Sequence, residues 1–319
     1  MAYDYADDYV DVIPQLPNID FTSPENARKN LLAAYEQNKV QIDESGVDIK
    51  DIFIDRVEDS SKLQVRIYSP ANNSTAIPGI FNIHGGGFVI GSVDSDHARM
   101  IPLCRELGVV IVSVEYRLAP EHPYPAGLED CYRALEWTVS HSKDLNIDPA
   151  RIAVMGQSGG GGLAAALVLL LKERKKPWIC FQYLGIPEVD DRLQTLSMQA
   201  FTDTPLWWYD NAVLSWQYYL GDEFSPGGDN VPITAAPARA TIEQLKGLPP
   251  AYVTTMAFDP LRDEGILYAL KLMQAGISVE LHSYPHTFHA STFFFNTNQV
   301  AKQAAQDELI ALRRGLKIT

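Results

Sequence analysis

A serine stands in a run of glycines, Gly156-Gln157-Ser158-Gly159-Gly160, between an apolar β-branched run, Ile152 to Met155, and a helical pattern, Gly161 to Lys172. A G-x-S-x-G turn from strand to helix suits a nucleophile. The sharp reversal strains the backbone at the serine, and side chains two positions to either side would collide with neighbouring strands. The hydroxyl is lifted to a helix N-terminus, where the dipole and free N–H groups favour developing negative charge. The spacing also fits a glycine turn that only packs helix on strand, or a phosphate loop. A dinucleotide site fits less well, because no G-x-G-x-x-G is present.

A serine hydroxyl is a weak nucleophile and needs a histidine base, itself oriented by a carboxylate. Asp259 follows the apolar run Ala251 to Thr255, within Asp259-Pro260-Leu261-Arg262-Asp263-Glu264-Gly265. Asp263 and Glu264 compete with it, but they open the next helix, where carboxylates favour the dipole. Tyr284-Pro285-His286-Thr287-Phe288-His289 follows the last strand pattern and offers two histidines. Spacing does not choose between His286 and His289. Earlier, His84-Gly85-Gly86-Gly87 follows another apolar run. Glycines there let backbone N–H groups approach a tetrahedral oxyanion, and the N–H of Gly159 would complete the hole. His84 reads as a brace for this loop. His97, His122, His141 and His282 read as structural or exposed. The chemistry implied is acyl transfer through a covalent intermediate, with neither metal nor organic cofactor.

The elements that must position these groups alternate. Asp51 to Val57 and Leu63 to Tyr68 have the apolar–polar alternation of half-buried strands. Gly79 to Ile83, Val109 to Val114, Ile152 to Met155, Ile179 to Leu184, Ala251 to Thr255 and Val279 to Tyr284 are short apolar strand patterns. Helical patterns at His97 to Leu107, Leu128 to Ser140 and Gln299 to Arg314 lie among or after them. Such alternation builds parallel crossover units and an α/β sheet covered on both faces. Two stretches break the rhythm: residues 1–45, with a helix over Pro24 to Lys39, and residues 187–248. The second holds Trp207, Trp208, Tyr209, Trp216, Tyr218 and Tyr219. An excursion this long between strands is usually functional. Both are expected to form a cap over the carboxyl edge of a catalytic domain made of 46–186 and 249–319. Most of these aromatics would be the cap's own core, with one or two lining a pocket.

Composition narrows the partners. With 46% hydrophobic and 21% charged residues the chain reads as globular. A net charge of −14 argues against nucleic acid or an anionic membrane surface as a partner, because both need clustered positive charge. Cys104, Cys131 and Cys180 form no C-x-x-C pair and read as reduced, buried thiols of a cytoplasmic protein. The acidic start, MAYDYADDYVDVIPQLP, lacks the pattern of a secretory signal. The longest apolar run, Leu163 to Leu171, is too short to span a bilayer.

Together these residues resemble the hormone-sensitive lipase family of esterases. The likeness rests on His84-Gly85-Gly86-Gly87, on Tyr116-Arg117-Leu118-Ala119-Pro120-Glu121-His122-Pro123-Tyr124-Pro125-Ala126, on the serine turn, on Asp259 to Gly265 and on the terminal histidine. It implies an α/β-hydrolase fold with a mostly parallel eight-stranded sheet, and a two-part helical cap. It implies His289 as base, with Gly86 and Gly87 joining Gly159 in the oxyanion hole, and short-to-medium acyl esters as small-molecule substrates. A homodimer through an edge strand and the last helix is a further implication. The sequence departs from the family pattern at Gln157, Gly159, Gly162 and Ala290, where an acidic residue, alanine, asparagine and glycine are usual. Two other functions share the scaffold. One is a non-catalytic receptor, as in the plant gibberellin receptors, which lack the histidine present here. The other is an amidase or lactonase.

Overall fold

The computed structural model describes residues 3–37, 42–56, 61–294 and 298–319. Eight strands form one sheet: β1 Val47–Asp55, β2 Lys62–Pro70, β3 Ile77–Ile83, β4 Val110–Val114, β5 Ile147–Gln157, β6 Phe181–Gly185, β7 Ala251–Phe258 and β8 Val279–Phe288. Their order is β1-β2-β4-β3-β5-β6-β7-β8. The β1–β2 and β2–β4 pairs are antiparallel, and every pair from β4 through β8 is parallel. The sheet is therefore mostly parallel, as an α/β-hydrolase requires.

The helices are α1 Asp7–Val10, α2 Pro24–Gln37, α3 His97–Leu107, α4 Ala126–Ser140, α5 Gly159–Glu173, α6 Leu196–Ala200 and α7 Tyr209–Leu220, then α8 Ile242–Leu245, α9 Arg262–Gln274, α10 Ser291–Phe294 and α11 Gln299–Gly315. Two apolar layers sandwich the sheet. On one face Leu135 of α4, Leu167 of α5 and Leu272 of α9 pack with Val112 and Val154. On the other, Met100 and Cys104 of α3 and Leu312 of α11 pack with Ile111 and Met155. α5 is buried along its length from Gly159 to Leu171, which explains why its sequence is apolar all round. A third cluster lies over the site. There Tyr9, Phe21 and Leu31 of the N-terminal stretch meet Met198, Leu206, Trp207 and Ala212 of the later excursion. Val231 to Leu248 of that excursion pack instead into the sheet's own layer beside α5 and α9. Arg28 of α2 ties the N-terminal stretch down, donating to Val89 O (2.8 Å), Ala119 O (2.8 Å) and the Glu121 carboxylate (2.7 Å).

Where boundaries differ from the pattern reading, the cause is local. β5 begins at Ile147, five residues before the apolar run at Ile152, because Ile147 pairs with Ile77 ahead of a register shift. The polar stretch Asp148 to Arg151 hides it. β8 continues through Pro285 to Phe288; at the sheet edge a missing N–H is tolerated. Lys39 and Val57, the expected ends of a helix and a strand, lie outside the described residues. No helix among the described residues is long and apolar enough to cross a membrane.

Candidate active site

β3 has β4 on one side and β5 on the other. The crevice between the carboxyl ends of β3 and β5 is thus a topological switch point, where ligands of open α/β sheets bind. His84 to Gly87 leave β3, and Ser158 leaves β5, at this crevice.

Ser158 has φ 53° and ψ −123°, a conformation sparsely populated by non-glycine residues. Such strain costs about 1–3 kcal/mol and persists only where the surroundings enforce it. The enforcement is visible at the flanking glycines. A Cβ on Gly156 would lie 2.1 Å from Gly160 O, and one on Gly160 would lie 2.3 Å from Ile83 O. The expected collisions exist, though Gly156 meets the start of its own helix rather than a neighbouring strand.

His289 Nε2 lies 3.0 Å from Ser158 Oγ, and His289 Nδ1 lies 2.8 Å from Asp259 Oδ2. Asp259 follows β7 and is fully buried. Its second oxygen accepts from the Leu261 N–H at 2.9 Å, which fixes the carboxylate plane. With Nδ1–H donated to Asp259, Nε2 is left as the acceptor facing the hydroxyl. Of the two histidines, His286 is turned away. It is half exposed, and its Nδ1 bonds Asp4 O at 2.9 Å. The competing carboxylates are engaged elsewhere. Asp263 accepts from the Ser197 N–H (2.8 Å), and Glu264 accepts from those of Val189 (2.7 Å) and Asp190 (3.2 Å).

The glycine loop closes the other side. Gly86 (φ 126°) and Gly87 (φ 53°) adopt conformations that L side chains avoid. Their N–H groups have no acceptor among the described residues. Gly159 opens α5, where an N–H has no intrahelical partner. A Cβ on Gly159 would stand 3.0 Å from Gly87 N and 2.9 Å from Phe88 N, so glycine lets the serine turn and the glycine loop approach. His84 does brace the loop: Nδ1 bonds Gly85 O at 2.9 Å, its ring stacks on Tyr116 at 4.2 Å, and the Tyr116 hydroxyl donates to His84 O.

A cavity of about 130 Å³ opens onto Ser158. Its walls are largely apolar, with Ile19, Leu31, Leu206 and Phe293 among them. Of the aromatics singled out in the excursion, Trp207 lines it and stacks on His289 (5.6 Å between centroids). Trp216 is instead packed behind the loop, against Phe88. Pattern reading did not single out Tyr35, Asp96 and Arg99, which also line the cavity. The one sign of Arg99 was a cation beside the buried stripe Met100, Leu103, Cys104 and Leu107.

Also missed was Glu188, a fully buried carboxyl just after β6. Ser215 Oγ lies 2.8 Å from Glu188 Oε1 and 2.9 Å from Gly87 O. One hydroxyl proton cannot serve both acceptors fully. A protonated Glu188 resolves this by donating to Ser215, which then donates to the glycine loop. Burial, opposed by the Ser215 hydrogen bond and assisted by Asp259, pushes this carboxyl up from 4.5 to about 8. Its proton is held more tightly when folded, so its contribution to stability is intact below pH ~4.5 and is lost as pH rises through ~8. Glu188→Gln keeps a donor and removes the titration. Its melting temperature is expected to gain on the wild type by a few degrees between pH 5 and pH 8.5. A gap that stays constant across that range contradicts this protonation state.

The order of the sheet and the crevice at its switch point define an α/β-hydrolase. A family model described as the alpha/beta hydrolase fold matches residues 80–293, and the chain belongs to that family, in its hormone-sensitive-lipase branch. Carboxylesterase NlhH of Mycobacterium tuberculosis is 38% identical over 80% of this chain and 79% of its own. The ethyl acetate hydrolase of Pseudomonas putida is 32% identical over 72% of each chain. Among solved structures, a bacterial heroin esterase superposes with a TM-score of 0.94 at 45% identity, covering 98% of both chains.

Proposed function

We propose that this protein hydrolyses short-to-medium acyl esters through an acyl-enzyme formed on Ser158. It is a carboxylic ester hydrolase of the serine type. Ser158 attacks the ester carbonyl while His289 takes its proton. Asp259 steadies the imidazolium, and the N–H groups of Gly86, Gly87 and Gly159 receive the oxyanion. His289 returns the proton to the leaving alcohol, then activates the water that frees the acid. The observation that carries this reading is the unbroken chain Ser158 Oγ–His289–Asp259, at 3.0 and 2.8 Å.

Acyl preference follows from the cavity, whose size and apolar walls suit a short chain. The N-terminal stretch and the part of the excursion around Met198 to Ala212 act as the cap that shields it. Across p-nitrophenyl esters from acetate to dodecanoate, kcat/KM is expected to peak at or before hexanoate and to be at least about tenfold lower at dodecanoate. A maximum at the longest chain overturns the short-acyl assignment. The same proposal includes a homodimer through β8, which lies at the sheet edge, and α11, where Ile310 is exposed. It also includes a reducing, cytoplasmic setting, in keeping with the three free thiols, of which Cys104 and Cys131 are buried as expected and Cys180 only partly.

A further inference from the structure

We infer that Ser215 and the buried carboxyl of Glu188 are positioning residues for the oxyanion hole. Together they hold the Gly87 carbonyl, and with it the glycine loop, in the shape whose N–H groups receive the oxyanion. This rests on the reading of Ser158 as nucleophile and places a control of its rate on α7, outside the catalytic residues themselves.

A run of three glycines does little to fix its own backbone, so its carbonyls must be held from outside if its N–H groups are to stay aimed at one point. Each is held by a different part of the fold. Gly85 O bonds the ring of His84 at 2.9 Å, and Gly86 O accepts from the N–H groups of Val89 and Ile90, each at 3.0 Å. Gly87 O has no backbone donor among the described residues; it accepts from Ser215 Oγ of α7 at 2.9 Å. The same face of α7 presses on this corner of the loop. Phe88 stacks on Tyr219 with 4.1 Å between ring centroids and meets Trp216 at 5.5 Å. All three of these α7 side chains are buried, so water does not stand in for the serine.

Glu188 reaches the corner from the nucleophile's side. Its N–H donates to Ser158 O at 3.1 Å, and its Oε1 lies 2.8 Å from Ser215 Oγ. Gly162, where the family usually has asparagine, makes room for this segment, since a Cβ there would stand 2.1 Å from Glu188 O. Glu188 Oε2 is buried without a partner, which suits the carbonyl oxygen of a neutral acid and not an uncompensated carboxylate. The titratable groups that face Glu188 are Asp259 after β7, Glu264 of α9 and Tyr219 of α7. All are acids, and none offers it a positive charge. While neutral, Glu188 donates to Ser215, and the one Ser215 proton goes to Gly87 O. Once ionised, Glu188 is an acceptor only, and the stronger one; the Ser215 proton turns to it and Gly87 O loses its support. A pair that served only to pack α7 would alter stability without tying rate to this ionisation.

The test is the pH dependence of p-nitrophenyl butanoate hydrolysis by the full-length protein, followed from about pH 7 to about pH 9.5 in three forms. The wild type is expected to lose at least about tenfold in kcat along an alkaline limb with its midpoint at about 8, while KM changes by less than about threefold. Ser215→Ala is expected to be slower in kcat by at least about tenfold already at neutral pH, with KM little changed and no alkaline limb. Glu188→Gln keeps a neutral donor toward Ser215, so it should stay well above Ser215→Ala at neutral pH and lack the limb. If either variant does not fold, the other decides. The proposal is overturned by a wild type without the limb, by a limb that persists in either variant, or by a Ser215→Ala enzyme whose kcat stays within about threefold of the wild type. Labelling of the wild type by a fluorophosphonate, run alongside, separates the two readings: labelling with any of these outcomes rejects the positioning role alone, and no labelling rejects the nucleophile.

Discussion

Ser158→Ala is expected to lower kcat/KM for a short p-nitrophenyl ester by at least about a thousandfold while leaving the thermal unfolding transition within a few degrees of the wild type. The size follows from the proposed chemistry. Without Oγ there is no covalent intermediate, and the oxyanion donors and substrate contacts alone support only residual catalysis. The small change in stability follows from the site. The side chain loses one hydroxyl, whose hydrogen bond to His289 is the contact removed. The strained backbone is held by Gly156 and Gly160 and does not depend on that hydroxyl. Retention of even a tenth of the activity contradicts the assignment.

The second large effect separates two histidines three residues apart. His289→Asn is expected to cost about a thousandfold or more in kcat, because asparagine cannot accept and return the proton. His286→Asn, measured beside it, should change kcat by less than about threefold, since that ring is half exposed and bonded to Asp4 rather than to Ser158. A larger loss from His286 would reverse the choice of base. Asp259 acts only through His289, so its loss should follow the same direction.

The two glycine motifs were legible in the sequence because their requirement is local. The turn at Ser158 collides with its own helix and with β3 unless residues 156 and 160 lack side chains. The strands were legible as apolar runs wherever both faces are buried, as in β3 and β4. They blurred where a polar stretch interrupts the pairing, as at the start of β5. Spacing alone could not choose between His286 and His289, because His286 lies in the last residues of β8 and His289 directly follows it. Their separation depends on what packs around them: Trp207 stacks on His289, while Asp4 holds His286. Arg99 and Glu188 were illegible for a related reason. Each gains its meaning from a partner far along the chain, Glu308 for the first and Ser215 for the second. No local period records such pairs. The departure at Gly159 was visible in the sequence, but its consequence, a close approach to Gly87, needed the packed loop.

Everything proposed for the chemistry turns on Ser158, activated by His289, becoming covalently acylated. The most direct measurement is the mass of the intact protein after reaction with a fluorophosphonate, followed by peptide mapping of the adduct. One adduct per chain is expected, on Ser158, appearing in step with loss of esterase activity and suppressed in His289→Asn. An adduct on another residue, or full inactivation without modification of Ser158, contradicts it.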